Sequence, residues 1–383
     1  MRILFFNYEY PPLGGGAGNA SFYILKEFSK IPGLEIDFIT SSIDSEYHLE
    51  KMGEKINIHR LPIGKNKSNL HFQSQKNLLI YSWKAYFFSK KLIRQGGYDL
   101  THSFFTVPCG FLSLVLKWQH EIPYIVSLRG ADVPGYSERF SFIYIFLKPI
   151  VKMIWKNSSA VVSNSQGLKE LAIKSRAKQE MDVIYNGIDI EEFKPVAVST
   201  LQNDFRIICV SRITQRKGIK FLIEAVAKLS EKYPNVSLKI IGEGDEKKNL
   251  ENFVMENKME KFVKFLGLMP HNQLPKEYSN ANVFVLPSLN EGMSNTMLEA
   301  LASGLPIIAT DTGGTKELLN DGENGFIIKM KNSADIVEKI EELLKNKELG
   351  QKMALESRKM AENFSWEKVA SQYAEMYQKI IKK

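Results

Sequence analysis

Short apolar runs alternate along the whole chain with longer segments in which apolar residues recur every three or four positions. The runs are ILFFN, EIDFIT, INIHRLP, DLTHSF, PYIVSL, AVVSN and DVIYN, then FRIICV, VSLKIIG, KFVKFLG, NVFVLPS, PIIAT and GFIIK. Apolar runs this short, separated by helical periodicity, predict strands of parallel sheets covered by helices on both faces. The polar segment EEFKPVAVSTLQND (191–204) precedes a fresh buried strand at Phe205 and marks the expected joint. The expected fold class is therefore α/β, with two doubly wound parallel-sheet domains in series. The last stretch, FSWEKVASQYAEMYQKIIKK, carries Val369, Tyr373, Met376, Tyr377 and Ile380 as a helical stripe. That stripe must cover something, and the pattern alone does not say which domain.

Composition changes this picture little. At 383 residues and 44% hydrophobic, the chain exceeds what one core usually fills, which favours two domains. Cys109 and Cys209 stand alone, without the spacing of a disulfide framework or a zinc site, and fit a reducing compartment. MRILFFNYEY lacks the flanks of a signal peptide, so a cytoplasmic location is expected. The longest apolar run, FSFIYIFLKPIVKMIW, is interrupted by Lys148, Pro149 and Lys152 before it could span a bilayer.

Charge adds more. The net +8 is concentrated in the first half, where residues 1–190 hold 23 Lys+Arg against 16 Asp+Glu; residues 191–383 hold 28 against 27. No acid occurs between Glu54 and Asp99. Lys55, Arg60, Lys65, Lys67, Lys76, Lys84, Lys90, Lys91 and Arg94 are interleaved there with Phe72, Tyr81, Trp83, Tyr86, Phe87 and Phe88. Such a stretch suits anionic head groups or phosphates, and equally describes a solvated helix with core aromatics.

In open α/β sheets ligands bind beyond the carboxyl ends of the strands. Three strand ends carry chemistry. The first leads into GGGAGNASFYILKEF, whose glycines let backbone approach a ligand ahead of a helix, although any tight turn uses glycine. FRIICV leads into SRITQRKG, where Arg212 and Lys217 could meet a diphosphate. NVFVLPS leads into LNEGMSNTMLEALASGLP, with Ser294 or Asn295 as N-cap of a helix ending at Gly304. Amides around Asn295 and Thr296 would attract phosphate. Glu291 and Glu299 would repel it, unless they take hydroxyls at either end of the anion. A nucleotide sugar has that layout.

EGMSNTMLE, together with SRITQRKG, IIGEGDEKKNLE, FLGLMP, NVFVLPS, GLPIIATDTGG and YNGID, resembles retaining glycosyltransferase family 4 of the GT-B fold. The resemblance implies two Rossmann-like domains facing a central cleft. Residues 1–195 would bind the acceptor, with 366–383 packing back on them, and 196–365 would bind the nucleotide sugar. It further implies Arg212 and Lys217 on the diphosphate, Glu299 on the ribose diol, and Glu291 on the transferred sugar. Asn295 and Thr296 would contact the phosphates, with Gly292, Met293, Ser294 and Gly242 also lining the donor site. Leu268 and Met269 would hold the base, and Gly15 and Gly16 would reach the donor from the other domain. One departure stands out: where many members carry histidine in an HGxD segment, this chain has Arg129 in SLRGADVPGY. Arg129 either contacts donor phosphate or clamps its loop by pairing with Asp132.

No D-x-D motif occurs, so no metal and no cofactor is expected. The expected activity is retaining, metal-independent transfer of a hexose or hexose derivative from a UDP- or GDP-sugar. The acceptor would be a glycan or lipid-linked molecule, in cell-surface polysaccharide or glycolipid synthesis. A GT-B sugar-nucleotide epimerase is the rival enzyme. A noncatalytic basic protein binding membrane or nucleic acid is the rival of another class, although no nucleic-acid-binding signature appears. The basic aromatic stretch adds an expected peripheral association with an anionic membrane surface.

Overall fold

The computed structural model describes residues 1–64, 70, 73–130, 132–135, 141–175, 180–195 and 204–382. Lys65, Lys67 and Phe72 of the basic stretch, Ala131 of the Arg129 segment and residues 196–203 of the expected joint lie outside the described residues. The chain forms two compact units, Met1–Asn186 with Trp366–Lys383, and Gly187–Ser365.

Among the described residues the first unit holds eight strands: β1 (Arg2–Phe6), β2 (Glu35–Ser41), β3 (His48–Met52), β4 (Ile56–Leu61), β5 (Leu100–Phe104), β6 (Tyr124–Leu128), β7 (Ala160–Ser163) and β8 (Asp182–Val183). They lie in the order β3-β4-β2-β1-β5-β6-β7-β8, all parallel except the β3–β4 pair. Why ILFF reads as one unbroken apolar run is visible in β1. Ile3 and Phe5 pack with the helices Gly16–Phe28 and Trp366–Ile381, whereas Leu4 and Phe6 pack with Tyr81 and Ala85 of helix Gln75–Gln95. Both faces are covered, so alternation disappears.

The final helix lies on the first unit. Trp366 stacks on Tyr23 with centroids 5.6 Å apart, and Tyr373 and Tyr377 are buried. Two polar pins fix it: His102 Nδ1 lies 2.6 Å from the Tyr377 hydroxyl, and Ser127 Oγ lies 3.0 Å from that of Tyr373. His102 Nε2 meets Ser127 Oγ at 2.7 Å, which joins the two pins.

The second unit holds β9 (Phe205–Val210), β10 (Val236–Ile241), β11 (Val263–Gly267), β12 (Val283–Leu286), β13 (Ile307–Thr310) and β14 (Gly325–Ile328). Their order is β11-β10-β9-β12-β13-β14, all parallel. Strand order reverses between β9 and β12, which makes that pair the switch point of the sheet.

Two expectations need correction. β3 was not expected, because HLEKM shows neither an apolar run nor alternation; it is an exposed edge strand whose charged side chains suit that position. The division falls at Asn186/Gly187, earlier than residue 195. EEFKPV reads as a polar linker, yet Phe193 is fully buried, with its ring edge-on to His271 and Tyr278. Arg358 donates to the Ile190 carbonyl at 2.8 Å and holds the same segment in the second unit.

Candidate functional site

Arg212 and Lys217 follow β9, and the loop from Pro287 to Ser294 follows β12, so both groups emerge at the switch point of the second sheet. Backbone contacts lock the two exits together. The Leu289 amide donates to the Arg216 carbonyl at 2.8 Å. Gly218 has φ +63°, and a Cβ there would sit 2.2 Å from the Pro287 carbonyl oxygen, so no side chain fits. From the far side, Gly314 donates to the Gly292 carbonyl at 2.8 Å.

Lys217 is buried, and its Nζ pairs with Glu291 Oε1; each side chain is 10% exposed. Ser288 Oγ reaches the same carboxylate oxygen at 3.4 Å. Glu291 Oε2 has no partner among the described residues. One oxygen is thus fixed while the other keeps its lone pairs as acceptors. Arg212 is exposed, and its guanidinium makes no hydrogen bond or ion pair among the described residues.

Ser294 caps helix Asn295–Ala302, its Oγ accepting from the Met297 amide at 3.3 Å. Thr296 sits in the first turn, where amides lie outside the helix's own ladder. Gly304, with φ +67°, ends the helix: its amide bonds the Leu301 carbonyl, and the Leu305 amide bonds that of Ala300.

Glu299, one turn into this helix, is 5% exposed and not solvated. Tyr278 donates to its Oε2 at 2.8 Å, and His271 Nε2 lies 3.3 Å from its Oε1. His271 Nδ1 faces Glu192 Oε1 at 3.4 Å. Burial works against charge on this imidazole, but the hydrogen bond and charge of Glu299 and the charge of Glu192 outweigh it and raise its pKa above the ordinary value. Sequence reasoning missed His271, Tyr278 and Glu192. His271 stands 28 positions from Glu299 in a polar stretch, PHNQLP, that carries no local signal.

The other named residues are placed as follows. Gly292 and Met293 lie in the β12 exit loop, Met293 buried. Leu268, exposed, and Met269, half-buried, follow β11. Gly242, with φ +139°, has a packing reason to be glycine: a Cβ would meet the Ser211 carbonyl oxygen at 2.0 Å. In the first unit, Gly15 and Gly16 open helix Gly16–Phe28 and are exposed. The Gly15 amide already donates to Glu9 Oε2 at 3.3 Å, an acid that the glycine pattern concealed. The expected Arg129–Asp132 side-chain clamp is not formed. Asp132 accepts instead from the Arg129 amide at 2.9 Å and the Thr106 amide at 2.9 Å. The Arg129 guanidinium lies over the Phe104 ring, 3.4 Å from its centroid, and donates to Asn186 Oδ1 at 2.8 Å. Burial pulls Arg129 down and pushes Asp132 up, and an aromatic face with an amide acceptor suits a planar cation in such a place.

Comparison with known proteins agrees with this fold. A family described as Glycosyltransferase Family 4 matches residues 14–192, and one described as Glycosyl transferases group 1 matches residues 191–360. An uncharacterized glycosyltransferase of Methanocaldococcus jannaschii is 27% identical over 383 residues, covering 99% of both chains. Among solved structures, sucrose-phosphate synthase from Thermosynechococcus elongatus superposes with a TM-score of 0.85 at 21% identity, covering 99% of each chain. HepE of Anabaena, crystallised with UDP and glucose, gives a TM-score of 0.77 at 21% identity over 99% of each chain. The chain pairs a Glycosyltransferase Family 4 domain with a Glycosyl transferases group 1 domain and has the GT-B fold.

Proposed function

We propose that the second unit binds a nucleotide sugar at the ends of β9 and β12, and that the enzyme transfers the hexose or hexose derivative, with retention and without a metal, to a glycan or lipid-linked acceptor. The carrying observation is the set at one switch point: a buried Lys217–Glu291 pair, an exposed Arg212, and a capped helix start with buried Glu299 beyond it. Arg212 and Lys217 take the diphosphate, with the amides at Asn295 and Thr296. Glu299 accepts from the ribose diol with the lone pairs that Tyr278 and His271 leave, and Glu291 Oε2 accepts from a sugar hydroxyl. Leu268 and Met269 flank the base.

In the step itself, the bond from the anomeric carbon to the phosphate oxygen breaks. The acceptor oxygen bonds to that carbon on the same face, and its proton passes to the departing phosphate oxygen. Arg212 and Lys217 stabilise the charge that develops there. UDP is the first nucleotide to test, since the Anabaena protein was crystallised with it.

Calorimetric titration with UDP, GDP and their sugars tests this reading. A charge-assisted bond is worth roughly 1.5–3 kcal/mol, so Arg212→Ala should weaken nucleoside-diphosphate binding by about 10- to 100-fold and cut turnover by orders of magnitude. Near-normal turnover in that variant rejects the assignment.

A further inference from the structure

The acid-free stretch of the first unit is not used by the transfer reaction. Its centre is helix Gln75–Gln95, QKNLLIYSWKAYFFSKKLIRQ, which carries five Lys or Arg and no Asp or Glu. One face is core: Tyr81, Ala85, Ser89 and Leu92 are buried, and the Tyr81 hydroxyl donates to the Ile39 carbonyl at 2.8 Å. The opposite face is apolar in the wrong direction for a solvated helix. Leu79 is 72% exposed, Trp83 69% and Phe87 50%, one turn apart each, and the rings of Trp83 and Phe87 lie 4.7 Å from each other. Lys76, Lys84, Lys91 and Arg94 stand exposed on the same side.

The apolar surface continues sideways. Tyr86 and Gln119 share a hydrogen bond, 3.0 Å from Tyr86 Oη to Gln119 Oε1, that places helix Phe111–His120 alongside, and its Trp118 is 56% exposed. Isolated exposed apolar residues are ordinary on a protein surface, but a contiguous row of aromatics rimmed by one sign of charge marks an interaction face. Here the rim is entirely cationic on the helix, while tryptophan and lysine together suit the boundary between head groups and acyl chains. Among the described residues no helix is long and apolar enough to cross a membrane. A helix with one buried face and one exposed aromatic face lies on a bilayer and does not span it.

We infer that the exposed face of helix Gln75–Gln95, extended by Trp118, docks on an anionic bilayer. Leu79, Trp83 and Phe87 insert about 5–10 Å, to the head-group boundary, while Lys76, Lys84, Lys91 and Arg94 meet lipid phosphates. None of these side chains is among the nucleotide residues, so the test is independent of the transfer reading.

Full-length protein is floated with vesicles of phosphatidylcholine and with vesicles of phosphatidylcholine mixed with anionic phosphatidylglycerol. The wild type should bind the anionic vesicles about tenfold more tightly, and rising salt should weaken that binding. Trp83→Ser with Phe87→Ser should reduce it by about tenfold or more, and Lys76→Glu with Lys84→Glu should abolish the preference for anionic lipid. All four side chains are exposed or at the surface, so melting temperature and nucleoside-diphosphate affinity should not move. Equal binding to both vesicle types, or full binding by the Trp83/Phe87 variant, overturns the inference. So does self-association that this variant disperses, because the face would then belong to a second copy of the chain.

Discussion

At the scale of the residue, His271 makes the sharpest prediction. A neutral imidazole has one N–H, so it can donate to Glu192 or to Glu299 but not to both; the imidazolium donates to both. Because the folded pKa is raised, the clamp is complete below the ordinary histidine value and is lost as pH rises through the raised one. Nucleoside-diphosphate affinity should therefore fall severalfold as pH rises from the ordinary histidine value, about 6.5, through the raised one, and His271→Gln should flatten that slope. An unchanged slope in titration calorimetry would place the pH dependence elsewhere. Lys217 and Glu291 make a second test. Removing one partner of a buried pair costs roughly 3–5 kcal/mol, whereas replacing both costs less. Lys217→Met with Glu291→Gln should accordingly melt above either single variant. Glu291 and Glu299 were legible in the sequence, Glu299 because a carboxylate among Met297, Leu298 and Ala300 demands partners. The partners themselves were not legible, since His271, in the short helical turn His271–Gln273, and Tyr278, in helix Leu274–Ser279, reach Glu299 only through the packing of elements more than twenty positions away.

At the scale of the element, the sequence carried most of the information. Ser294, Gly304 and the strand NVFVLPS were readable as cap, stop and buried strand because each follows local rules of hydrogen-bonding and backbone sterics. Ser294→Ala should cost about 1 kcal/mol through loss of the cap, measurable by urea unfolding. Gly313 makes the stronger prediction. It sits at φ +48°, and a Cβ would lie 1.8 Å from the Glu291 carbonyl oxygen. Gly313→Ala must push the β12 exit loop away, so the predicted loss is in nucleotide affinity, about tenfold or more, rather than in melting temperature alone. Unaltered affinity would show that the loop has room to shift. β3 escaped notice for the opposite reason: an exposed edge strand needs no apolar pattern, so HLEKM left none.

At the scale of the whole molecule, two domains were foreseeable from length and strand count, but the boundary was not. Phe193 looks like one aromatic in a polar linker until its neighbours are known. The first unit also carries a titration signature. His102 is buried and neutral, its pKa driven well below the ordinary value by burial and then by Arg129. Burial alone would raise Asp37, but hydrogen bonds from His59, Tyr98 and Asn57 outweigh it and hold its carboxyl below the usual range. Both folded values are depressed, so both contributions are present above the unfolded pKa and are lost on acidification. Loss begins near the unfolded histidine value, about pH 6.5, and steepens below about pH 4, by about 1.4 kcal/mol per pH unit for each proton taken up. Protection factors in β2 and β5, corrected for the intrinsic exchange rate at each pH, should fall over that range, and unchanged protection would remove both groups from the account.

The return of the final helix to the first unit also sets an order on biosynthesis. Gly187–Ser365 is continuous and can close its sheet as soon as it leaves the ribosome. Helix Gly16–Phe28 must wait for Trp366 and the tyrosines that follow it, so the half of the protein that is made first is the half that is finished last.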